Sequence, residues 1–352
     1  AQIAAMPDGT PSGLTWDVVE SLPVSEVIKT KSGDYDGHIT AYKDSLHNLA
    51  ACGIEVVCYN FMPVLYWTRT VLRSPLPHGG AAMLFDLVDF AAFDLFMLKR
   101  PAAPEDYPDA CRDAARARFE KMDDTARTAL VNNIVAGLPG ANDTWTLDDI
   151  RGHLKTYDGF TADTLRANLI DFLAEVAPTA QELGLRMCCH PDDPPFSLFG
   201  LPRVVSTAKD ARMILQAAPS PSNGLTLCAG SFGARADNDL VDMAREFGPA
   251  IHFVHLRNIR READGSFYES EHLDGDNDMI GLIGALLDEE KRRAAEGRAD
   301  RIPMRPDHGH LLGEEVEKAG ANPGYSYCGR LKGLAELRGV IRTLEALDSR
   351  QA

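Results

Sequence analysis

Asp307, His308 and His310 fall within four residues at the end of the run Ile302-Pro303-Met304-Arg305-Pro306-Asp307-His308-Gly309-His310. A carboxylate and two imidazoles so close together can hold a divalent metal or move protons. The apolar residues before them read as a short buried strand, and the proline and polar residues after it as the loop that ends the strand. Taken alone, the stretch is equally well a surface loop that contains histidines. Its meaning depends on the other strand ends.

Three of those ends carry ligand chemistry as well. Leu185–His190, Leu225–Cys228 and Ile251–His255 each read as a strand, finishing in His190, Cys228 and His255. Side chains alternate between faces along a strand. Ile251, Phe253 and His255 therefore share one face, and His252 lies on the other as a packed core histidine. By the same rule His190 shares a face with Cys188, Cys228 with Thr226, and Asp307 with Arg305. Four ligands at the C-terminal ends of four successive parallel strands can converge on one ion, in the place where α/β enzymes put their sites. Polar residues gather at strand ends in any such protein, so the equivalence of the four positions carries the expectation. Imidazole, thiolate and carboxylate together suit zinc or another first-row transition ion, and a thiolate argues against Mg²⁺ or Ca²⁺.

Stepping along the chain, the strands at Gly13–Glu20 and Ile54–Asn60 flank a helix at Tyr35–Cys52 closed by Gly53, a parallel βαβ unit. Between Tyr66 and Phe160 the rhythm breaks. His78-Gly79-Gly80 reads as a loop, Asp86–Leu98 and Asp106–Val135 as helices, Leu138-Pro139-Gly140 as a turn, and Thr146–Asp149 has capping-box spacing. This region is expected to be a helical insertion, about 66–160. Alternation resumes with helices at Thr161–Leu183, Ala208–Ala217, Leu240–Phe247 and Met279–Glu296. Strand–helix repetition over residues 1–352 predicts a single-domain (β/α) barrel or, failing that, a doubly wound sheet. Six strands can be counted, two short of a closed barrel, and Ala1–Met6 reads as the tail of a helix already under way.

The net charge of −16, from 36 basic and 52 acidic residues, argues against nucleic acid or an anionic membrane surface as a partner. No run of 18 apolar residues is present, and seven scattered cysteines read as reduced thiols, so a cytoplasmic enzyme is expected.

The strings Cys58-Tyr-Asn-Phe-Met-Pro63, His190-Pro-Asp-Asp-Pro-Pro195, Arg235-Ala-Asp-Asn-Asp239, His255-Leu-Arg257, Arg305-Pro-Asp-His-Gly-His310 and Asn322-Pro-Gly-Tyr325 closely resemble the D-mannonate dehydratase family. Trp67-Thr-Arg69 and Gly329–Ala335 extend the resemblance to nearly the whole chain. It implies a xylose-isomerase-like TIM barrel, (β/α)8, that uses Mn²⁺ or Fe²⁺ to convert D-mannonate into 2-keto-3-deoxy-D-gluconate and water, with Zn²⁺ as a possible bound non-native metal. It puts the ligands on His190, Cys228, His255 and Asp307. Family members begin with two further strands, so a barrel open on one side is expected for this chain.

Such a dehydration needs a base for the C2 proton and an acid for the C3 hydroxyl. His308 and Tyr325 are the candidates, and which does which is open. Arg257, on the face of His255, can pair with the substrate carboxylate, unless it makes an ordinary salt bridge. Asn60, Arg235, Asp237 and Asn238 can bond sugar hydroxyls, although caps and turns explain them almost as well. Asp192 and Asp193 are expected to orient His190 or cap a turn, and His310 to be structural. A homodimer is expected. The competing functions are a metal-dependent sugar isomerase on the same fold and an inactive sugar-acid or metal-binding barrel.

Overall fold

Six strands lie parallel in chain order, and the helices between them cover the outside of the sheet. The computed structural model describes residues 3–135, 145–298, 300–318 and 320–350. Its strands are β1 (Val18–Val19), β2 (Val56–Tyr59), β3 (Val71–Pro75), β4 (Ala81–Phe85), β5 (Arg186–Cys189), β6 (Asn223–Cys228), β7 (Ile251–His255), β8 (Ile259–Arg261), β9 (Phe267–Glu269) and β10 (Met304–Arg305). The parallel sheet runs β1-β2-β5-β6-β7-β10. Every expected strand is in it, several of them shorter than the apolar run that announced them.

The sheet is curled. β1 and β10 are its two edges, yet Glu20, just past β1, forms an ion pair with Arg305 of β10. That contact brings the edges together across the mouth of an α/β barrel whose described strands number six. Inside, Val56, Cys58, Cys188 and Phe253 form a small apolar layer with Val18, and the Cys58 thiol and Thr226 hydroxyl meet at 3.2 Å. Outside, the helix Ala162–Glu182 packs Phe172 against the rings of Tyr42 and Tyr59, centroids 5.0 and 5.5 Å apart. Such aromatic pairs add stability beyond the area they bury. The helices at Tyr35–Ala51, Ala208–Ala217, Leu240–Phe247 and Met279–Ala295 lie within a residue or so of their sequence limits, because amphipathic period and capping residues agree. Thr207, for instance, makes a reciprocal capping box with Asp210.

Two expectations need revision. The insertion is not wholly helical: it opens with the hairpin β3–β4, turning through His78–Gly80, and only then becomes helical at Leu87–Ala92. That hairpin joins β9 and β8, from the loop after β7, in a second, antiparallel sheet of order β3-β4-β9-β8. Its strands are short and mix Arg73, Ser74 and Pro75 with apolar residues, which erases the period-2 signal. Near the start of the chain, Ile3 and Ala4 form a turn and Ala5 bridges Pro11, not a helix. The expected turn at Leu138–Gly140 lies outside the described residues. The Thr146–Asp149 capping box is present.

All seven cysteines are free, and no described helix is long and apolar enough to cross a membrane. His252 is buried, with Nδ1 donating to Met187 O at 2.9 Å. Burial, with Arg186 and Arg293 near, pushes its pKa down to about 4. The unfolded chain, with an ordinary value near 6.5, binds this proton first as pH falls, so stability is lost between pH 6.5 and 4. At about 1.4 kcal/mol per pH unit the loss amounts to roughly 3 kcal/mol. Denaturant unfolding across that range should show a flatter pH dependence in His252→Gln than in the parent, and identical slopes would refute the assignment.

Candidate metal centre and active site

Strand register assembles the centre. Cys228 pairs with His255, and His255 with Arg305, across β6, β7 and β10. The His190 amide donates to Tyr59 O at 2.7 Å, extending the β2–β5 ladder to the residue after β5. The ligand atoms of His190, Cys228 and His255 all lie within 4.8 Å of one another. Asp307 Oδ2 is 3.6 Å from His255 Nδ1. Asp307 reaches back to this point from a left-handed backbone, φ 60°, a conformation Asp tolerates better than most residues. All four side chains are buried.

The His190 imidazole is held in a particular tautomer. His190 Nδ1 lies 2.7 Å from Pro191 O. A carbonyl only accepts, so Nδ1 carries the proton and Nε2 is left with a lone pair. His255 Nε2 faces the Glu20 carboxylate at 3.4 Å, which favours a proton there. His190 Nε2 and His255 Nδ1 then face each other at 3.3 Å. Against burial, Glu20 and Asp307 raise the His255 pKa well above its ordinary value, so positive charge, a proton or a metal cation, is favoured between these two nitrogens.

The surrounding charge makes the same demand. Burial alone would raise the Cys228 thiol, but the Arg257 guanidinium and then His190 outweigh it and hold it well below its ordinary value. Burial would likewise raise Asp307, yet His308, His255, Arg305 and Arg257 keep it ionised. Glu20, against the pull of burial, is held at about 2 by His255 and Arg305. Beneath the ligands, Arg257 Nη1 bonds Glu269 at 2.8 and 3.1 Å, Nη2 meets Asp193 and bonds Ser231 at 2.9 Å, and Nε lies 2.9 Å from Asp307. Arg69 bonds Asp193 at 2.7 Å and Glu269 at 2.9 Å. Glu20, Asp193, Glu269, Asp307 and the Cys228 thiolate are five anions, set against Arg69, Arg257 and Arg305. Positive charge on the imidazoles offsets part of that excess of two negative charges, and a divalent ion would offset it with the imidazoles neutral.

His308 and Tyr325 border the ligands. His308 Nδ1 lies 3.0 Å from Glu269 Oε1, Nε2 is 3.8 Å from Asp307, and the ring meets that of Tyr325 edge-on, centroids 5.2 Å apart. The Tyr325 hydroxyl is 3.5 Å from Arg305 Nη2. Burial, then Asp307, pushes its pKa up. The helix Tyr327–Asp348 abuts this loop because Gly309 and Gly329 carry no side chain. A Cβ on Gly309 would come within 2.5 Å of Gly329 C, and one on Gly329 within 2.1 Å of His310 O.

With this geometry in view, comparison with known proteins is decisive. The family model described as D-mannonate dehydratase (UxuA) matches residues 8–351. The chain belongs to the D-mannonate dehydratase family. Among curated relatives, the mannonate dehydratase of Saccharophagus degradans is 55% identical over 97% of this chain and 86% of its own length. That of Rhizobium meliloti is 55% identical over 94% and 83%. The crystal structure of mannonate dehydratase from Streptococcus suis serotype 2 superposes with a TM-score of 0.72 at 30% identity, covering 96% of this chain and 80% of that one.

Within this family member, the structure brings together His190, Cys228, His255, Asp307, His308 and Tyr325. Asn60 lies buried at the end of β2, next to the strand end that bears His190. Arg257 differs from expectation: its guanidinium already faces Asp193, Ser231, Glu269 and Asp307, which leaves no fork for a second carboxylate. Arg235 and Asp237 pair with each other at 2.6 and 2.8 Å on the rim. Asn238 bonds the backbone of Ser206 at 3.0 Å and Phe232 at 2.9 Å, tying two loops. Asp192 caps the 205–206 turn, accepting from Val205 N at 2.7 Å and Ser206 Oγ at 2.8 Å. Asp193 belongs to the buried ionic network.

Glu20, Arg69 and Glu269 are the residues that sequence reasoning missed. Glu20 ends the first strand run as His255 ends another, so the strand-end criterion applied to β1 would have found it. Arg69 is marked only by the family string Trp67-Thr-Arg69, and nothing local marks Glu269. Glu20→Gln should weaken divalent-metal affinity roughly 10- to 100-fold, the usual effect of losing a group that orients a ligand, as read by equilibrium dialysis and elemental analysis. Arg257→Met, which leaves buried carboxylates unpaired, should destabilise the fold by about 3–5 kcal/mol in denaturant unfolding.

Proposed function

We propose that this chain eliminates water from D-mannonate to give 2-keto-3-deoxy-D-gluconate, with Mn²⁺ or Fe²⁺ held by His190, Cys228, His255 and Asp307. The observation that carries the metal reading is the convergence of the His190, Cys228 and His255 ligand atoms within 4.8 Å of one another, with Asp307 Oδ2 3.6 Å from His255 Nδ1. Zn²⁺ fits the same donors and can occupy them without being the working metal. When bound, the ion acts as a Lewis acid towards the substrate's carboxylate side, where negative charge develops as the C2 proton leaves.

The protein's own groups supply the proton transfers. Glu269 is held ionised, against burial, chiefly by Arg257, so it only accepts hydrogen bonds. It therefore fixes the His308 proton on Nδ1 and leaves Nε2 as the base that takes the C2 proton. Tyr325, its pKa raised, keeps its proton at neutral pH and delivers it to the departing C3 hydroxyl. Hydroxide is a poor leaving group, and the tyrosine allows it to depart as water. Arg257 acts through Asp307, Asp193 and Glu269 and so positions ligand and base. Asn60 at the end of β2 is the nearer candidate for a sugar hydroxyl, and the Arg235–Asp237 pair lies at the rim.

Incubation of purified, Mn²⁺-loaded protein with D-mannonate should yield the keto acid, and stripping the metal with a chelator should abolish the activity. His308→Asn and Tyr325→Phe should each lower kcat by about 10²- to 10⁴-fold. In D₂O, substrate recovered from Tyr325→Phe should carry deuterium at C2, whereas substrate recovered from His308→Asn should not. The reverse pattern would exchange the two roles, and undiminished turnover in both variants would end the proposal.

A further inference from the structure

A second cluster of metal-ligating side chains lies on the far side of the His308 loop. His78 sits in the β3–β4 turn, Glu271 follows β9, and His310 follows the residues that carry Asp307 and His308. Each offers one ligand atom, and the three atoms lie within 4.8 Å of one another. His310 Nε2 lies 2.9 Å from Glu269 O, a carbonyl that only accepts, so the proton is on Nε2 and Nδ1 is bare. His310 is 6% exposed, and its Nδ1 has no hydrogen-bond partner among the described residues. It points at Glu271 Oε1, 3.4 Å away. A buried lone pair aimed at a carboxylate oxygen is repulsive unless positive charge lies between them.

His78 completes the group. Its ring stacks on that of His310, centroids 5.5 Å apart and planes 20° from parallel, and its Nε2 lies 3.5 Å from the same Glu271 oxygen. The other oxygen of Glu271 pairs with Lys332, which also pairs with Glu336. Two carboxylates against one ammonium leave the cluster anionic. We propose that His78, Glu271 and His310 form a second site for a divalent transition cation such as Zn²⁺, distinct from the centre that contains Cys228.

Two imidazoles and one carboxylate, with a water in the remaining position, are a sufficient donor set for zinc. His78 Nδ1 now accepts the Gly80 amide at 3.2 Å. When its Nε2 takes the ion, the imidazole proton sits on Nδ1 and that amide contact is given up, a change the half-exposed ring can make. The ion would fasten the β3–β4 hairpin to the segment bearing His308, which the Ala81–Leu311 backbone pair already joins at 2.9 and 3.0 Å. Its role is to steady the position of the base; it takes no part in the chemistry.

The test uses full-length protein stripped of metal and dialysed against buffered Zn²⁺, with zinc per chain measured by elemental analysis. The parent should hold two equivalents, His78→Ala one, Cys228→Ser one and the double variant none. His78 is exposed and outside the chemistry, so its variant should fold normally, and its second-site affinity should fall roughly tenfold or more. Should Cys228→Ser fail to fold, Co²⁺ substitution of the parent and of His78→Ala decides. The cysteine site gives a thiolate charge-transfer band, and the second equivalent adds absorption without that band in the parent alone. One equivalent in both parent and His78→Ala would overturn the site and leave an imidazolium–carboxylate pair. Two equivalents in both would overturn it as well, as adventitious surface binding. Loss of the Cys228 equivalent alone would count against the first centre and leave the second standing.

Discussion

Five anionic groups and three guanidiniums share the mouth of this barrel, most of them cut off from water, and their charges have to be balanced locally. A lone ion buried at such depth costs several kcal/mol even after relaxation, and mutual pairing offsets that only when every partner is in place. Arg69 and Arg257 are fully buried for this reason: each bridges Asp193 and Glu269. Arg257 also touches Asp307, and Glu269 touches His308, so the arrangement that neutralises the interior sets the orientation of Asp307 and His308 as well. Structural and chemical roles coincide in the same side chains.

The parallel sheet makes this arrangement possible. Register across β6, β7 and β10 puts Cys228, His255 and Arg305 side by side, and curling brings Glu20 to the same place from the opposite edge. Below them, the small apolar layer of Val56, Cys58, Cys188 and Phe253 keeps water from reaching the charges from the interior. The antiparallel sheet contributes Glu269 at the end of β9 and His78 in its hairpin turn. The two imidazole–carboxylate clusters are thus built from two sheets that meet at one loop, 307–310.

Much of this was legible in the sequence because two periodicities carry it. Strand parity singled out His190, Cys228, His255 and Asp307 and turned His252 away from them, and helix period with its capping residues fixed the outer layer. The misses share a physical cause. Glu269 and Arg69 lie in or beside short strands whose pairing is set by tertiary contact, and a buried ionic network has no spacing rule because its members come from distant segments. Arg257 illustrates the limit: its face was read correctly, but which carboxylates it would meet was not encoded near it. The family motifs, by contrast, ran through nearly the whole chain and led to the right family.

The contact between Glu20 and Arg305 joins residues 285 positions apart in sequence, and Tyr325 lies later still. During synthesis β1 is therefore made long before the partner that neutralises Glu20 exists. Until Arg305 and the loop after it are synthesised, the rim of the mouth is unfinished. Closure over so long a loop is slow and comes late.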